Sequence, residues 1–127
     1  MTEIPLRRAR DELLVPVMIN NSLTVPFMVD SGASDVSISA AVMQRLIESG
    51  TLTRADFLGK ATYHLADGSR VASDTFRLHS LRVGDREVHD VLASVTNDAD
   101  GLLLGQSFLK RFRSWSIDNQ RQVLVLR

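Results

Sequence analysis

The chain has 127 residues, no cysteine, and 15 acidic against 15 basic residues, so its formal net charge at pH 7 is zero. This length fits one domain with a modest core. The lack of cysteine excludes disulfides, thiolate nucleophiles and cysteine-ligated metal centres. Balanced charge gives no reason to expect nucleic acid as a partner. No apolar stretch approaches the ~20 residues needed to cross a bilayer.

The N-terminal segment, residues 1–12, is polar and contains Arg7, Arg8 and Arg10. We expect it to form a solvated linker or processing segment outside the core. The folded domain is predicted to span residues 13–127.

Two apolar runs at residues 13–19 and 23–29, separated by a short polar turn, predict a β-hairpin that leads directly to Asp30. Pro16 and Pro26 cannot donate to a strand ladder, so each should face an edge or a bulge. The hairpin therefore delivers a carboxylate at the end of an apolar strand.

The residues that follow this strand are Asp30, Ser31, Gly32 and Ala33. A carboxylate ending a buried strand is costly unless donors or a shared proton stabilise it. The Ser31 hydroxyl and the amides around Gly32 are candidate donors. Glycine permits a left-handed backbone and leaves room for a second chain. An ordinary turn is an alternative interpretation, because Asp, Ser and Gly all favour turns.

A short strand is predicted at residues 36–38, followed by a helix over residues 40–49 with Ser39 as its N-cap and Gly50 as its stop. A further short turn is predicted between residues 53 and 57. The apolar residues of these elements are expected to pack in the core.

Residues 61–66, 70–81 and 87–96 predict three strands, because turn residues separate them. The first turn contains Asp67 and Gly68, and an Asp-Gly pair between strands favours a type I′ hairpin turn.

Residues 97–101 predict a polar loop, whose aspartates leave calcium binding as an alternative, although the spacing fits no complete EF-hand. The apolar run 102–104 suits a strand buried on both faces, and Gly105 allows a sharp turn into a short helix over residues 106–111. A final hairpin is predicted to turn at residues 118–119.

The sequence gives little evidence for a metal site, a serine-hydrolase site or a cofactor site. His64, His79 and His89 lack the spacing of a metal site, so no metal is predicted. The Gly-x-Ser-x-Gly pattern of serine hydrolases is missing. No cofactor is predicted.

Two motifs together resemble the signatures of the retropepsin-like aspartic proteases, the clan of the retroviral proteases. The first is Asp30-Ser31-Gly32-Ala33 after two apolar residues, and the second is Leu102-Leu103-Leu104-Gly105 before a helix. The segment from Trp115 to Leu126 is similar to bacterial single-domain members. The resemblance runs from about Leu14 to the C-terminus, and it implies an all-β, closed β-barrel with one or two short helices.

The resemblance also implies roles for individual residues. Asp30 would be the catalytic carboxylate, and Ser31 would bond across a two-fold axis to the other active loop. The remaining residues would shape the active loop, form the tip of a flap over the substrate, or support the loop from behind. They are Gly32 and Ala33 in the loop, Asp67, Gly68 and Ser69 at the flap tip, and Leu103, Leu104 and Gly105 behind the loop.

One chain carries one such aspartate loop and is too short for a two-lobed enzyme. The sequence therefore predicts an aspartic endopeptidase whose partners are a second copy of the same chain and a peptide or protein substrate. Water would be activated between two Asp30 carboxylates. Val36, Ile38 and Val71 are candidate pocket residues.

Three points stay open at this stage. The same fold without hydrolysis would give a catalytically silent peptide-binding or dimerisation module. A precursor that cleaves only itself near its basic N-terminal segment is a further alternative. Many bacterial relatives carry an N-terminal membrane anchor, so the resemblance allows a longer, membrane-anchored form, and the compartment is undetermined.

Overall fold

The computed structural model describes residues 1–96 and 101–127. The elements within these residues are mainly strands with two helices. In chain order they are β1 (Thr2–Pro5), β2 (Arg7–Ala9), β3 (Glu12–Ile19), β4 (Leu23–Val29), β5 (Val36–Ser39), α1 (Ala40–Glu48), a 3-10 turn (Arg54–Asp56), β6 (Phe57–His64), β7 (Arg70–Val83), β8 (Arg86–Thr96), β9 (Leu103–Leu104), α2 (Gln106–Leu109), β10 (Trp115–Asp118) and β11 (Val123–Leu126).

Six of these strands close into a barrel. Neighbouring strands follow the order β3-β4-β9-β5-β8-β7. The strand β7 then pairs with β3 through Met18 opposite Arg82 and Ile19 opposite Leu81, which completes the ring. Closure pairs strand edges that would otherwise be open. The prediction of an all-β closed barrel with short helices is confirmed.

The hairpin of β3 and β4 shows why the two prolines are tolerated. Pro16 lies directly opposite Pro26, and both side chains are exposed. The alternating residues Val15, Val17 and Phe27 are fully buried in the core. Because β4 pairs with β9 only at its end, Pro26 faces an open edge, as its missing N–H requires.

The prediction that residues 1–12 lie outside the core is wrong. Strand β1 pairs along its whole length with β11, and β2 pairs with β3. The Thr2 hydroxyl donates to the Asp85 carboxylate at 2.7 Å, and Ile4 and Leu6 are buried. Alternating buried residues fix this segment to the barrel, while its arginines stay on the exposed side.

The helix α1 begins and ends where the sequence predicts. The Ser39 hydroxyl accepts the Val42 N–H at 3.2 Å, and Gly50 follows the helix with φ at +78°. Val42 and Leu46 are buried against the barrel. The helix α2 is shorter than predicted, because Arg111 lies beyond its end and donates to backbone carbonyls of β8.

Two further observations concern the chain as a whole. Residues 97–100, which carry the calcium alternative, lie outside the described residues. Among the described residues, no helix is long and apolar enough to cross a membrane.

Candidate active site

Asp30 follows directly after β4 and is partly buried. Its N–H donates to the Leu104 carbonyl at 3.0 Å, which extends the pairing of β4 with β9 by one residue. Its Oδ1 accepts the Gly32 N–H at 2.9 Å. This is the single side-chain hydrogen bond found for Asp30 in the described part of the chain. A carboxylate has several acceptor positions, and among the described residues this bond occupies one of them.

The active loop turns tightly after Asp30. The Ala33 N–H donates to the Asp30 carbonyl at 3.2 Å. A Cβ on Gly32 would lie 3.3 Å from the Asp30 Oδ1. The backbone of Gly32 lies outside the left-handed region, so the left-handed conformation that glycine permits is not adopted here. The glycine instead leaves space beside the carboxylate.

The strand β9 and Gly105 lie behind this loop. Leu103 and Leu104 pair in parallel with the last two residues of β4. A Cβ on Gly105 would lie only 2.2 Å from the Asp35 carbonyl oxygen and 2.7 Å from that of Ala33. Real Cβ atoms do not approach so closely, so this position requires glycine.

Two polar residues at the start of α2 hold the same loop, and sequence reasoning did not single them out. The Gln106 N–H donates to the Ala33 carbonyl, and its side-chain Nε2 donates to the Ser31 carbonyl, both at 2.9 Å. The Ser107 N–H donates to the Ser34 carbonyl at 2.9 Å. Their position directly after the required glycine is the sequence signal that could have identified them.

The predicted flap is the hairpin of β6 and β7. The Gly68 N–H donates to the Leu65 carbonyl at 3.0 Å, and Gly68 has φ at +87°. Asp67 does not share the positive φ, so the predicted type I′ turn is wrong. Hydrogen bonds from the Ser69 hydroxyl and N–H lower the pKa of Asp67. The tip is thus a longer loop stabilised by an aspartate side chain.

A side-chain bond ties this hairpin to the segment after the active loop. The Tyr63 hydroxyl, on β6, donates to the Asp35 Oδ2 at 2.5 Å. Burial, followed by this contact with Asp35, raises the pKa of Tyr63 to about 12. The two residues are far apart in the chain, and the sequence carried no signal for their pairing.

The three residues predicted to line a substrate pocket differ in burial. Val36 and Ile38 are fully buried in the core and cannot line a substrate pocket, so that prediction is wrong. Val71 is 38% exposed and lies opposite Tyr63 on the hairpin. Within residues 1–96 and 101–127, no group of three or more acidic or histidine side chains could hold a metal ion.

Comparisons with known proteins point to one family. The family model described as "gag-polyprotein putative aspartyl protease" matches residues 15–111. No curated protein sequence matches the chain.

Two solved structures of retropepsin-like proteins are similar to this barrel. A retropepsin-like aspartic protease from Rickettsia conorii is 29% identical, with a TM-score of 0.72 and coverage of 98% of this chain and 90% of that one. The retroviral protease-like domain of Ddi1 from Leishmania major is 21% identical, with a TM-score of 0.57 and coverage of 91% and 87%. This second likeness concerns the fold alone. With the family match spanning most of the barrel and the active loop, the chain belongs to the retropepsin-like aspartic proteases.

Proposed function

We propose that this chain is an aspartic endopeptidase that acts as a homodimer, with one Asp30 from each copy at the site of hydrolysis. The observation that supports this most strongly is the environment of Asp30. Its carboxylate is partly exposed and accepts one hydrogen bond, while the surrounding loop is held by backbone hydrogen bonds. The family of the chain makes peptide hydrolysis the matching reaction.

Two carboxylates brought together across a two-fold axis suit both proton transfers of this reaction. Like charges at close range do not both ionise easily, so the two carboxylates would share one proton. The ionised carboxylate takes a proton from water, and the protonated one gives its proton to the leaving amide. One chain has one Asp30 loop, so the site is complete only in a dimer.

The proposed substrate is an extended polypeptide between the paired loops and the flap tip formed by Asp67, Gly68 and Ser69. Extended peptides are recognised largely through backbone hydrogen bonds. Closure of the hairpin would exclude bulk water from the reacting bond. In this proposal the Tyr63 contact with Asp35 keeps the base of the flap aligned with the active loop.

The first experiment follows cleavage of a peptide library across acid and neutral pH. We expect activity that depends on carboxylate titration and that falls at least about 1000-fold in Asp30→Asn, because the base is lost. Asp11→Asn is the matched control, since Asp11 is exposed and remote from the loop in sequence. Cleavage that survives in Asp30→Asn would overturn the assignment.

A mixing experiment tests the homodimer. Wild-type protein is equilibrated with a tenfold excess of Asp30→Asn protein, which leaves about one tenth of the wild-type copies paired with each other. Activity should fall to about the same fraction. Activity unchanged by the inactive copies would show that one chain suffices. A stable dimer without cleavage at any pH would favour the silent binding module.

Self-processing near the N-terminus is part of this proposal and has its own test. Residues 2–5 and 7–9 are paired in strands, so cleavage within them requires local opening, whereas the turn at Arg10 and Asp11 is exposed. Mass spectrometry of incubated wild-type protein should show trimming that Asp30→Asn lacks. Intact wild-type protein after prolonged incubation would remove this part of the proposal.

A further inference from the structure

A groove on the outer face of the β3–β4 hairpin has no part in the proposed chemistry. It consists of two adjoining cavities of ≈ 320 Å³ and ≈ 270 Å³ that share Leu14 and Pro26 as lining residues. The first cavity extends to Thr24, and the second extends to Met28. We call the two together the hairpin groove.

The floor of the hairpin groove is largely apolar and resists strand addition. Pro16 and Pro26 lie opposite each other and have no N–H groups, so a docked strand could not form a regular ladder there. Leu14 and Met28 add partly buried apolar surface beside them. An occupant would therefore be held mainly by side-chain contacts.

The groove is aligned with the active loop. Thr24, Pro26 and Met28 alternate along β4, so their side chains share one face, and Asp30 is the next residue in that alternation. Six residue steps lead along the chain from Thr24 to Asp30, which corresponds to about 20 Å in an extended strand. An extended polypeptide that leaves the catalytic loop along this face would reach the far end after about six residues.

Charge distinguishes the first cavity from the second, and its charged residue, Arg7, lies opposite Leu14 and therefore at the level of Met28. Arg7 is the one charged residue that lines the first cavity, and its side chain has no carboxylate within ion-pair distance among the described residues. The second cavity carries both Arg10 and Glu12, so its charges offset each other. An acidic group near Arg7 would complement the first cavity.

From this geometry we infer that the hairpin groove binds the flank of the polypeptide substrate, as an extended apolar stretch carrying an Asp or Glu near Arg7. The inference rests on the proposed endopeptidase function and specifies its substrate class. A symmetric dimer carries two such grooves, one on each side of the cleaved bond. Short peptides that cover only the cleavage site would miss both.

The test compares a short peptide of a cleaved sequence with a long one. The long peptide carries six further residues on each flank, Leu- and Pro-rich and containing one Glu. We expect the long peptide to have about tenfold higher kcat/KM, mostly through KM, because burial of even one apolar side chain is worth that much. Equal values for the two peptides would overturn the inference.

Reversing the charge at Arg7 tests whether this residue contacts the acidic residue of the peptide. Arg7→Glu should abolish most of the advantage of the Glu-containing peptide and restore it for a peptide with Lys in place of that Glu. Arg8→Glu is the matched control, because Arg8 is the next residue of β2 and does not line the groove. Equal responses of the two variants would also overturn the inference.

A binding measurement separates this inference from the proposed function. Asp30→Asn protein is titrated with fluorescent long and short peptides, and only the long one should lose affinity on Arg7→Glu. If nothing is cleaved but this binding difference is found, the endopeptidase proposal fails and the groove remains a polypeptide site. Thr24→Trp should obstruct long-peptide binding. A change only in dimer content, measured by sedimentation, would show a self-association surface and overturn the inference.

Discussion

Asp30 is partly buried and Asp56 is buried, and the groups around the two carboxylates differ. Asp56 is 2% exposed, and its carboxylate accepts the Thr53 N–H at 2.9 Å. It also lies 2.9 Å from the His79 Nε2 and 3.5 Å from an Arg77 guanidinium nitrogen. Within residues 1–96 and 101–127, the Asp30 carboxylate accepts one hydrogen bond, from the Gly32 N–H.

The difference lies in how many partners the fold supplies to each carboxylate. Burial works to raise the pKa of Asp56, but the Thr53 N–H together with His79 and Arg77 outweighs it and lowers the pKa. The acceptor positions of Asp56 are thus occupied by the fold. In the proposed function, those of Asp30 would contact water and a second carboxylate.

The largest expected effect is a difference in stability between variants of the two aspartates. Asp56→Ala should lower the free energy of unfolding by about 2–3 kcal/mol, because it removes a buried acceptor and leaves the Thr53 N–H unpaired. Asp30→Ala should change it by less than about 0.5 kcal/mol. Urea unfolding at one fixed protein concentration measures both. Similar losses in the two variants would abolish the distinction between the residues.

The second expected effect is a loss of stability at acidic pH that depends on Asp56. The folded pKa of Asp56 lies below its unfolded value, so its contribution to stability is present above about pH 4 and is lost as the pH falls through the folded pKa. The difference in unfolding free energy between wild type and Asp56→Asn should therefore be larger at pH 5 than at pH 3. A difference that is constant over this range would mean that the carboxylate does not gain from its partners.

A smaller effect on activity is expected when Gln106, which supports the active loop, is replaced. Gln106→Leu removes the donor to the Ser31 carbonyl and should lower kcat/KM by about three- to tenfold, because the loop geometry loosens. The loss of unfolding free energy should stay below about 1 kcal/mol. Gln44→Leu, on the exposed side of α1, is the control. Equal activity in the two variants would assign Gln106 no positioning role.

The smallest effect is spectroscopic. Tyr63 is the single tyrosine, so absorbance near the phenolate band reports its titration directly. Its pKa of about 12 lies above the ordinary 10.0, so its share of stability is complete below pH 10 and is lost as the pH rises through 12. Asp35→Asn should lower this pKa, while burial keeps it raised. Asp74→Asn, paired with Lys60 on the same hairpin, should leave it unchanged.

The barrel and the location of Asp30 could be predicted because their signals are local. Alternating apolar residues, the Ser39 cap and the run ending at Gly105 each determine structure within a few neighbouring residues. The N-terminal strands were missed because Arg7, Arg8 and Arg10 dominate the composition there. The alternation of Thr2, Ile4 and Leu6 was the signal that could have revealed them.

Other features of the candidate site depend on contacts between distant parts of the chain. Tyr63 reaches Asp35 only after the hairpin folds over the loop, and no spacing rule connects them. Val36 and Ile38 lie in the strand after the active loop, but the barrel turns them inward. Side-chain direction in so short a strand follows from pairing with β8 and β9, which composition does not reveal.

The close approach at Gly105 bears on how relatives of this chain should be interpreted. A side chain there would collide with the backbone carbonyls of Ala33 and Asp35, in the segment that joins β4 to β5. This collision depends on the packing of the segment and not on any chemistry at Asp30. Under the proposed function, a relative without peptidase activity could therefore replace Asp30 and still need this glycine.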